Sequence, residues 1–461
     1  MSAGTVPAMS EVRIGTETKR FGRSASLLSA GLGLGGLLTY LFFSLASHNL
    51  DATAYGEIVV LWSAVFVTIS IAHRPVEQLL SRTIAERRAR GDEVGSALRV
   101  AAAIQLVVAL ALALAALALR GPIQDDLLSG SETLYWVFVF AVTTFGVSYY
   151  MRGVLAGSRR FTLLALLILV EAGARAVFAL AVALGIASGQ SAVALGVAAA
   201  PAVSLAVAPV VLLVFRRRSP AADPRPDDPT APVSVAAGGG FAAAVLVVMI
   251  AEQAFLNAGP LLISAFEDAA AAGFIFNVLM VVRAPVLIFQ GVAASLLPHL
   301  TRLRTGAGAG EDAFHHSIRV TLIAVACFTA FTFAVVAAAG PSMMQIAFGD
   351  DFSYDRTGLL LMAAGMGLYL SATTLSQAAL ARGAAARAAR CWGVSAALFL
   401  AWCVTPAIAD EARRVEIGFV LGAALLALLL SRVYRGAAGE WIRPGSSEEI
   451  EARLAAADEA S

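Results

Sequence analysis

The chain has 461 residues, of which 59% are hydrophobic and only 14% charged, and its mean hydropathy is +0.79. Soluble domains carry about a quarter charged residues, so this composition excludes an ordinary soluble fold and puts the chain in lipid. A net charge of +1 gives no electrostatic footprint for nucleic acid, and the placement of charge is more informative than its sum.

A helix crossing the hydrocarbon needs about 20 apolar residues. Runs of that kind lie at 24–46, 54–78, 97–119, 133–155, 161–186, 190–215, 238–265, 271–298, 317–340, 357–381, 391–409 and 415–434. Strands would need alternating polarity and a closed barrel, so the expected fold class is all-α: a polytopic membrane protein of about twelve helices. The first run follows Lys19, Arg20 and Arg23 as in a signal peptide. It is too long for an h-region and lacks a clear small-residue cleavage site, and therefore reads as a retained span. Its GLGLGG string, Gly31 to Gly36, is preceded by no strand and predicts close helix packing rather than a nucleotide loop.

Ionisable groups inside spans are the sharpest signals, because a charge at membrane depth is costly and faces a cavity or a partner. In the second span, HRPVEQLLSR sets Arg74 and Glu77 three apart, where they can pair or snorkel to the interface. Glu171 and Arg175 stand four apart in the fifth span, the spacing of a self-neutralising pair or of a proton-sensitive, substrate-contacting one. Beyond the sixth span, Arg216 to Ala237 is rich in proline and aspartate and reads as a flexible linker dividing the spans six and six. The seventh span offers Glu252 no cation on its own helix. Gln253 and Asn257 add a polar face there, and Gly259-Pro260 can break the helix. A lone membrane carboxylate is a candidate to carry H+ or Na+, with a buried structural acid as the alternative. The eighth span holds Arg283 near its middle, with Gln290 seven residues on and on the same face. Cys327, Cys391 and Cys403 lack metal-ligand spacing and read as buried hydrophobes, so no metal or cofactor is expected.

Arginine placement sets the orientation. Arg82, Arg87, Arg88, Arg90, Arg159, Arg160, Arg216 to Arg218, Arg302, Arg304, Arg382, Arg387, Arg390, Arg432 and Arg435 fall on the same side as Lys19, Arg20 and Arg23. The opposite loops hold only Arg120, Arg356, Arg413 and Arg414. By the positive-inside rule both termini are cytoplasmic, in a bacterial inner membrane. The expected organisation is a tail at 1–23, a six-helix bundle at 24–215, a linker at 216–237, a second bundle at 238–435 and a tail at 436–461. Duplication is echoed in LLSRTIAERRARGDE (Leu79 to Glu93) and LLPHLTRLRTGAGAGED (Leu296 to Asp312), and transporters built this way bind substrate between their halves.

The twelve-span plan and the string RAPVLIFQGVAASLLPHLTRLR (Arg283 to Arg304) resemble the polysaccharide-exporter branch of the MATE-like flippase superfamily. The resemblance implies two bundles around a central cavity, alternating access, and an undecaprenyl-diphosphate-linked oligosaccharide as cargo. It also implies cavity arginines. Arg74 and Arg283 match those of the second and eighth spans in the similar peptidoglycan-precursor flippases, whereas the first span here has none deeper than Arg23. Guanidinium groups suit a diphosphate through bidentate, charge-assisted hydrogen bonds, and Gln253, Asn257, Asn277 and Gln290 suit sugar hydroxyls. Arg175 belongs with the cationic contacts, and Glu171 with Glu252 as an ion-coupling carboxylate. An ion-coupled multidrug exporter would share the fold but favour carboxylates and a more apolar cavity. A membrane glycosyltransferase or ligase would need acids in a sizeable outward loop, and the first loop offers only Asp51. A non-enzymatic transporter is therefore expected. The topology predicts that Arg225→Cys, in a variant lacking the native cysteines, stays unlabelled by an impermeant maleimide in intact cells and reacts after lysis; labelling in intact cells would invert it.

Overall fold

The computed structural model describes residues 30–217, 235–283 and 311–436. Its first half comprises α1 (Ala30–Asn49), α2 (Ala52–Ala72), α3 (Arg74–Arg90), α4 (Gly95–Ala118), α5 (Glu132–Gly157), α6 (Phe161–Ala183) and α7 (Gly189–Arg217). The second half comprises α8 (Val235–Phe266), α9 (Ala269–Arg283), α10 (Glu311–Phe348), α11 (Arg356–Ala381), α12 (Ala385–Val404) and α13 (Glu411–Gly436). With α2 and α3 forming one span, the described residues make an all-helical multi-pass membrane protein with ten helices long and apolar enough to cross a membrane, together with the shorter α9 and with α12, in all about twelve membrane helices. Each expected apolar run overlaps one of them. Residues 218–234 of the expected 216–237 linker, Gln290 and residues 296–310 of the Leu296 to Asp312 repeat lie outside the described residues, while the ends of the expected linker belong to α7 and α8.

Polar residues set the helix starts. Asp51, Ser131 and Asp355 each accept a hydrogen bond from the backbone N–H three residues on, capping α2, α5 and α11. Asp51, the acid of the first loop, is thus a capping residue. Two local expectations fail. The second span is not one helix: His73 separates α2 from α3, because Pro75 has no N–H to donate and its ring crowds the preceding turn. Conversely α8 runs unbroken through Gly259-Pro260, where packing against α2 and α12 holds it.

The same contacts recur in both halves. In the first, α4 packs on α5, α5 on α7, α6 on α7, and α1 on α6. In the second, α10 packs on α11, α11 on α13, α12 on α13, and α8 on α12. The halves meet where α2 lies along α8. They close together at the end that carries the 49–51 and 349–355 connections, assigned to the outside by the arginines. There Phe43 meets Phe276 at 4.6 Å, Tyr55 meets Phe352 at 5.0 Å and Tyr40 meets Phe348 at 5.4 Å. The Tyr55 hydroxyl donates to Asn277 Oδ1, and Ser44 Oγ donates to the Ala347 carbonyl at 2.5 Å. Gly56 lies directly against the Ala269 backbone, an approach that any side chain would block. Asn277, offered above as a sugar contact, therefore belongs to this closure. Three of the outer arginines are neutralised locally: Arg120 by Glu132, Arg413 by Asp355 and Glu416, and Arg414 by Glu411.

The GLGLGG string packs as expected. A Cβ on Gly31 would stand 2.6 Å from the Ala165 Cβ and one on Gly35 3.2 Å from Ile168, while one on Gly33 meets nothing within 4 Å. Gly31→Leu is therefore expected to destabilise the purified protein by about 1–3 kcal/mol, and Gly33→Leu by no more than about 0.5 kcal/mol. Thermal unfolding of the two variants in detergent checks this, and equal shifts would show that α1 does not rely on that approach.

Candidate substrate site

The break in the second span aims its first charged residue at the other half. His73 is fully buried; its Nε2 donates to the Val142 carbonyl at 2.8 Å and its Nδ1 meets the Gln105 amide at 2.7 Å. With the imidazole tied to α4 and α5, the next residue opens α3 facing α8. There Arg74 lies 3.8 Å from Glu252, an ion pair made across the two halves. Arg74 does not pair with Glu77, the neighbour its spacing suggested. Both partners remain accessible, with 39% of the Arg74 side chain and 32% of the Glu252 side chain exposed although both sit deep within long apolar helices. They lie where α3 of the first half meets α8 of the second. Exposed pairs of this length contribute about 0–1 kcal/mol, so a ligand can displace either partner.

Arg283 joins them from α9. It is half-buried, Glu252 and the Tyr369 hydroxyl are the groups it faces, and it forms no ion pair with any described residue. Tyr369 on α11 also looks onto Glu252 and Arg74, its hydroxyl falling short of hydrogen-bonding geometry. Tyr149 on α5 also interacts electrostatically with Arg74. Two arginines, one carboxylate and two tyrosines thus converge from α3, α5, α8, α9 and α11.

Behind Arg74 the charges alternate into the first half. Glu77 faces both Arg74 and Arg152, and Arg152 pairs with Glu171. Glu171 is 2% exposed and also accepts from Ser148 Oγ at 2.5 Å and from Ser204 Oγ. Its spacing suggested Arg175 as partner. Instead Arg175 turns to Trp62, 4.3 Å above the ring, and donates to Thr39 Oγ1 at 3.2 Å, because the α5 arginine takes the carboxylate first. Breaking a buried pair such as Arg152–Glu171 costs about 3–5 kcal/mol, against at most about 1 for Arg74–Glu252. The first pair is fixed and the second exchangeable.

Gln253 and Asn257 do not join this cluster. They are 5% and 3% exposed and bond to each other, Asn257 Nδ2 donating to Gln253 Oε1 at 2.8 Å. Four residues of the cluster were not among the candidates read from the sequence: His73, Tyr149, Arg152 and Tyr369. Arg152 carried a usable signal, being a charge inside the fourth apolar run in SYYMRG. His73 carried the same signal, as an ionisable residue inside the second run, whereas the tyrosines carried none. Among the described residues no group of His, Cys, Asp and Glu has the geometry of a metal site.

Comparison with solved structures identifies the fold. An inward-facing conformation of a multidrug resistance MATE family transporter of the MOP superfamily superposes with a TM-score of 0.68 at 13% identity, over 89% of this chain and 96% of that one. A variant of the Vibrio cholerae MATE transporter VcmN gives 0.63 at 15% identity, over 93% and 100% of the two chains. An outward-facing conformation of a multidrug resistance MATE family transporter gives 0.59 at 15% identity, over 91% and 96%. This chain therefore has the same fold as these MATE family transporters. No family model and no curated protein matches its sequence.

Proposed function

We propose that this protein is an alternating-access transporter that moves an undecaprenyl-diphosphate-linked oligosaccharide across the bacterial inner membrane. The observation that carries the reading is that Arg283, without an ion pair to any described residue, and the loosely paired Arg74 both approach Glu252, where the two halves meet. A diphosphate cannot cross hydrocarbon bare, and two guanidinium groups replace part of its hydration through charge-assisted hydrogen bonds. In this scheme the anionic headgroup binds Arg283 and draws Arg74 from Glu252. The freed Glu252 then takes up H+ or Na+, which links cargo to ion through one carboxylate. Glu171 acts at one remove by fixing Arg152. The closed outer end and the higher TM-score with the inward-facing transporter support an inward-facing state.

A second reading, an ion-coupled multidrug exporter, draws on the accessible Glu252 carboxylate between Tyr149 and Tyr369, a setting that also suits a lipophilic cation. Competition in proteoliposomes separates the two. A prenyl diphosphate-linked sugar transported in preference to a lipophilic cation supports the flippase, and the reverse supports the exporter.

Lysine keeps charge but loses the planar fork, so Arg283→Lys is expected to retain part of the cargo affinity and Arg283→Ala to lose about tenfold or more, a change of about 1.4 kcal/mol. Titrating correctly inserted protein with prenyl diphosphate checks this; equal affinity in wild type and Arg283→Ala rejects the headgroup role. Glu252→Gln is expected to leave the protein inserted while abolishing the stimulation of transport by an ion gradient. Unchanged stimulation in that variant would return Glu252 to a structural role.

A further inference from the structure

The first half carries a second cavity, remote from the arginine cluster. It is an open groove of about 700 Å³ on the outer half of α5, α6 and α7, walled by Trp136, Phe140, Phe178 and Leu195 and floored by Ala198 and Ala202. The groove exists because small side chains on α7 face large ones on α5. Its walls are apolar, and Trp136, Phe140 and Leu195 are exposed to the surroundings of the bundle, which in a membrane are acyl chains. A dry groove of this depth would forfeit dispersion contacts along its whole lining, so an apolar chain fills it.

The outer rim supplies polar chemistry. Glu132 lines the groove and lies 3.5 Å from Arg120, and Trp136 Nε1 donates to the same carboxylate oxygen at 3.3 Å. The Arg120 guanidinium sits 5.3 Å from the Tyr135 ring centroid and 5.8 Å from that of Trp136, at the level where aromatic residues mark the edge of the hydrocarbon. Half of the Arg120 side chain and two thirds of that of Glu132 are exposed, leaving both open to a ligand.

We infer that this groove is a binding site for one phosphatidylethanolamine molecule, its acyl chain along Ala198 and Ala202, its phosphate on Arg120 and its ammonium on Glu132. A cation and a carboxylate held side by side complement a phosphate and an ammonium held side by side. The short rim sets Arg120 against three carboxylates, Asp125, Asp126 and Glu132, which disfavours a net anionic phospholipid and a prenyl diphosphate alike. A quaternary choline group fills the same space but has no N–H to donate to Glu132. The site is independent of the cargo proposed above.

Native mass spectrometry of the purified full-length protein, delipidated and then titrated with phosphatidylethanolamine, phosphatidylcholine or phosphatidylglycerol, tests the inference. Wild type is expected to retain one phosphatidylethanolamine about tenfold more tightly than the other two, a difference of about 1.4 kcal/mol. Ala202→Trp, which fills the groove from an exposed position, is expected to abolish retention of that molecule. Glu132→Gln, in the exposed first turn of α5, is expected to keep a bound phospholipid but erase the preference for the ammonium headgroup. Equal retention of the three lipids by wild type, undiminished retention by folded Ala202→Trp, or an unchanged headgroup preference in Glu132→Gln would each overturn the assignment.

Discussion

A charge in hydrocarbon is so costly that every ionisable side chain within these spans must find an opposite charge, a hydrogen-bonding partner or water. The protein meets that constraint in two ways at once. Deep in the first half, Glu171 takes Arg152, Ser148 and Ser204 and is shut away from solvent. Between the halves, Arg74 and Glu252 satisfy each other at 3.8 Å while part of each side chain stays exposed. The buried arrangement holds α5, α6 and α7 in register. The accessible one joins two bundles and can be exchanged for a ligand, and so the position of a charge relative to the bundle interface decides whether it serves the fold or the site.

The route from sequence to that site runs through one helix break. Pro75 interrupts the second span, His73 fastens the interruption to α4 and α5, and Arg74 then starts α3 on the face that meets α8. The gap in the hydrogen-bond ladder is thus offset by tertiary hydrogen bonds, and the residue displaced by it is the one that reaches across.

The two ends of the interface differ in kind. At the outer end aromatic pairs and a Tyr55–Asn277 hydrogen bond hold the halves together, and aromatic contacts contribute about 0.5–1.5 kcal/mol each beyond their area. Several such contacts amount to a few kcal/mol, which is the scale on which differential binding of a ligand shifts a two-state equilibrium. At mid-depth a weak ion pair replaces them. This gradient from apolar closure to a weaker charged contact fits the alternating access proposed above.

Solvent and periodicity act on the chain one residue at a time, and the features they dictate were determined by the sequence by itself. Apolar run length located the twelve spans, the small residues of GLGLGG announced a close α1–α6 approach, and the membrane charges singled out Arg74, Glu252 and Arg283 as residues needing partners. It could not assign those partners. Spacing offered Glu77 to Arg74 and Arg175 to Glu171, because neighbours three or four residues apart share a helical face, yet each residue found a better partner on another helix. Gln253 and Asn257 look like a cavity-facing polar stripe in one dimension, but they bond to each other in three. Only tertiary structure decided these pairings, since in a bundle of long helices the lowest-energy partner of a buried charge is the opposite charge nearest in space, and chain separation does not encode that distance.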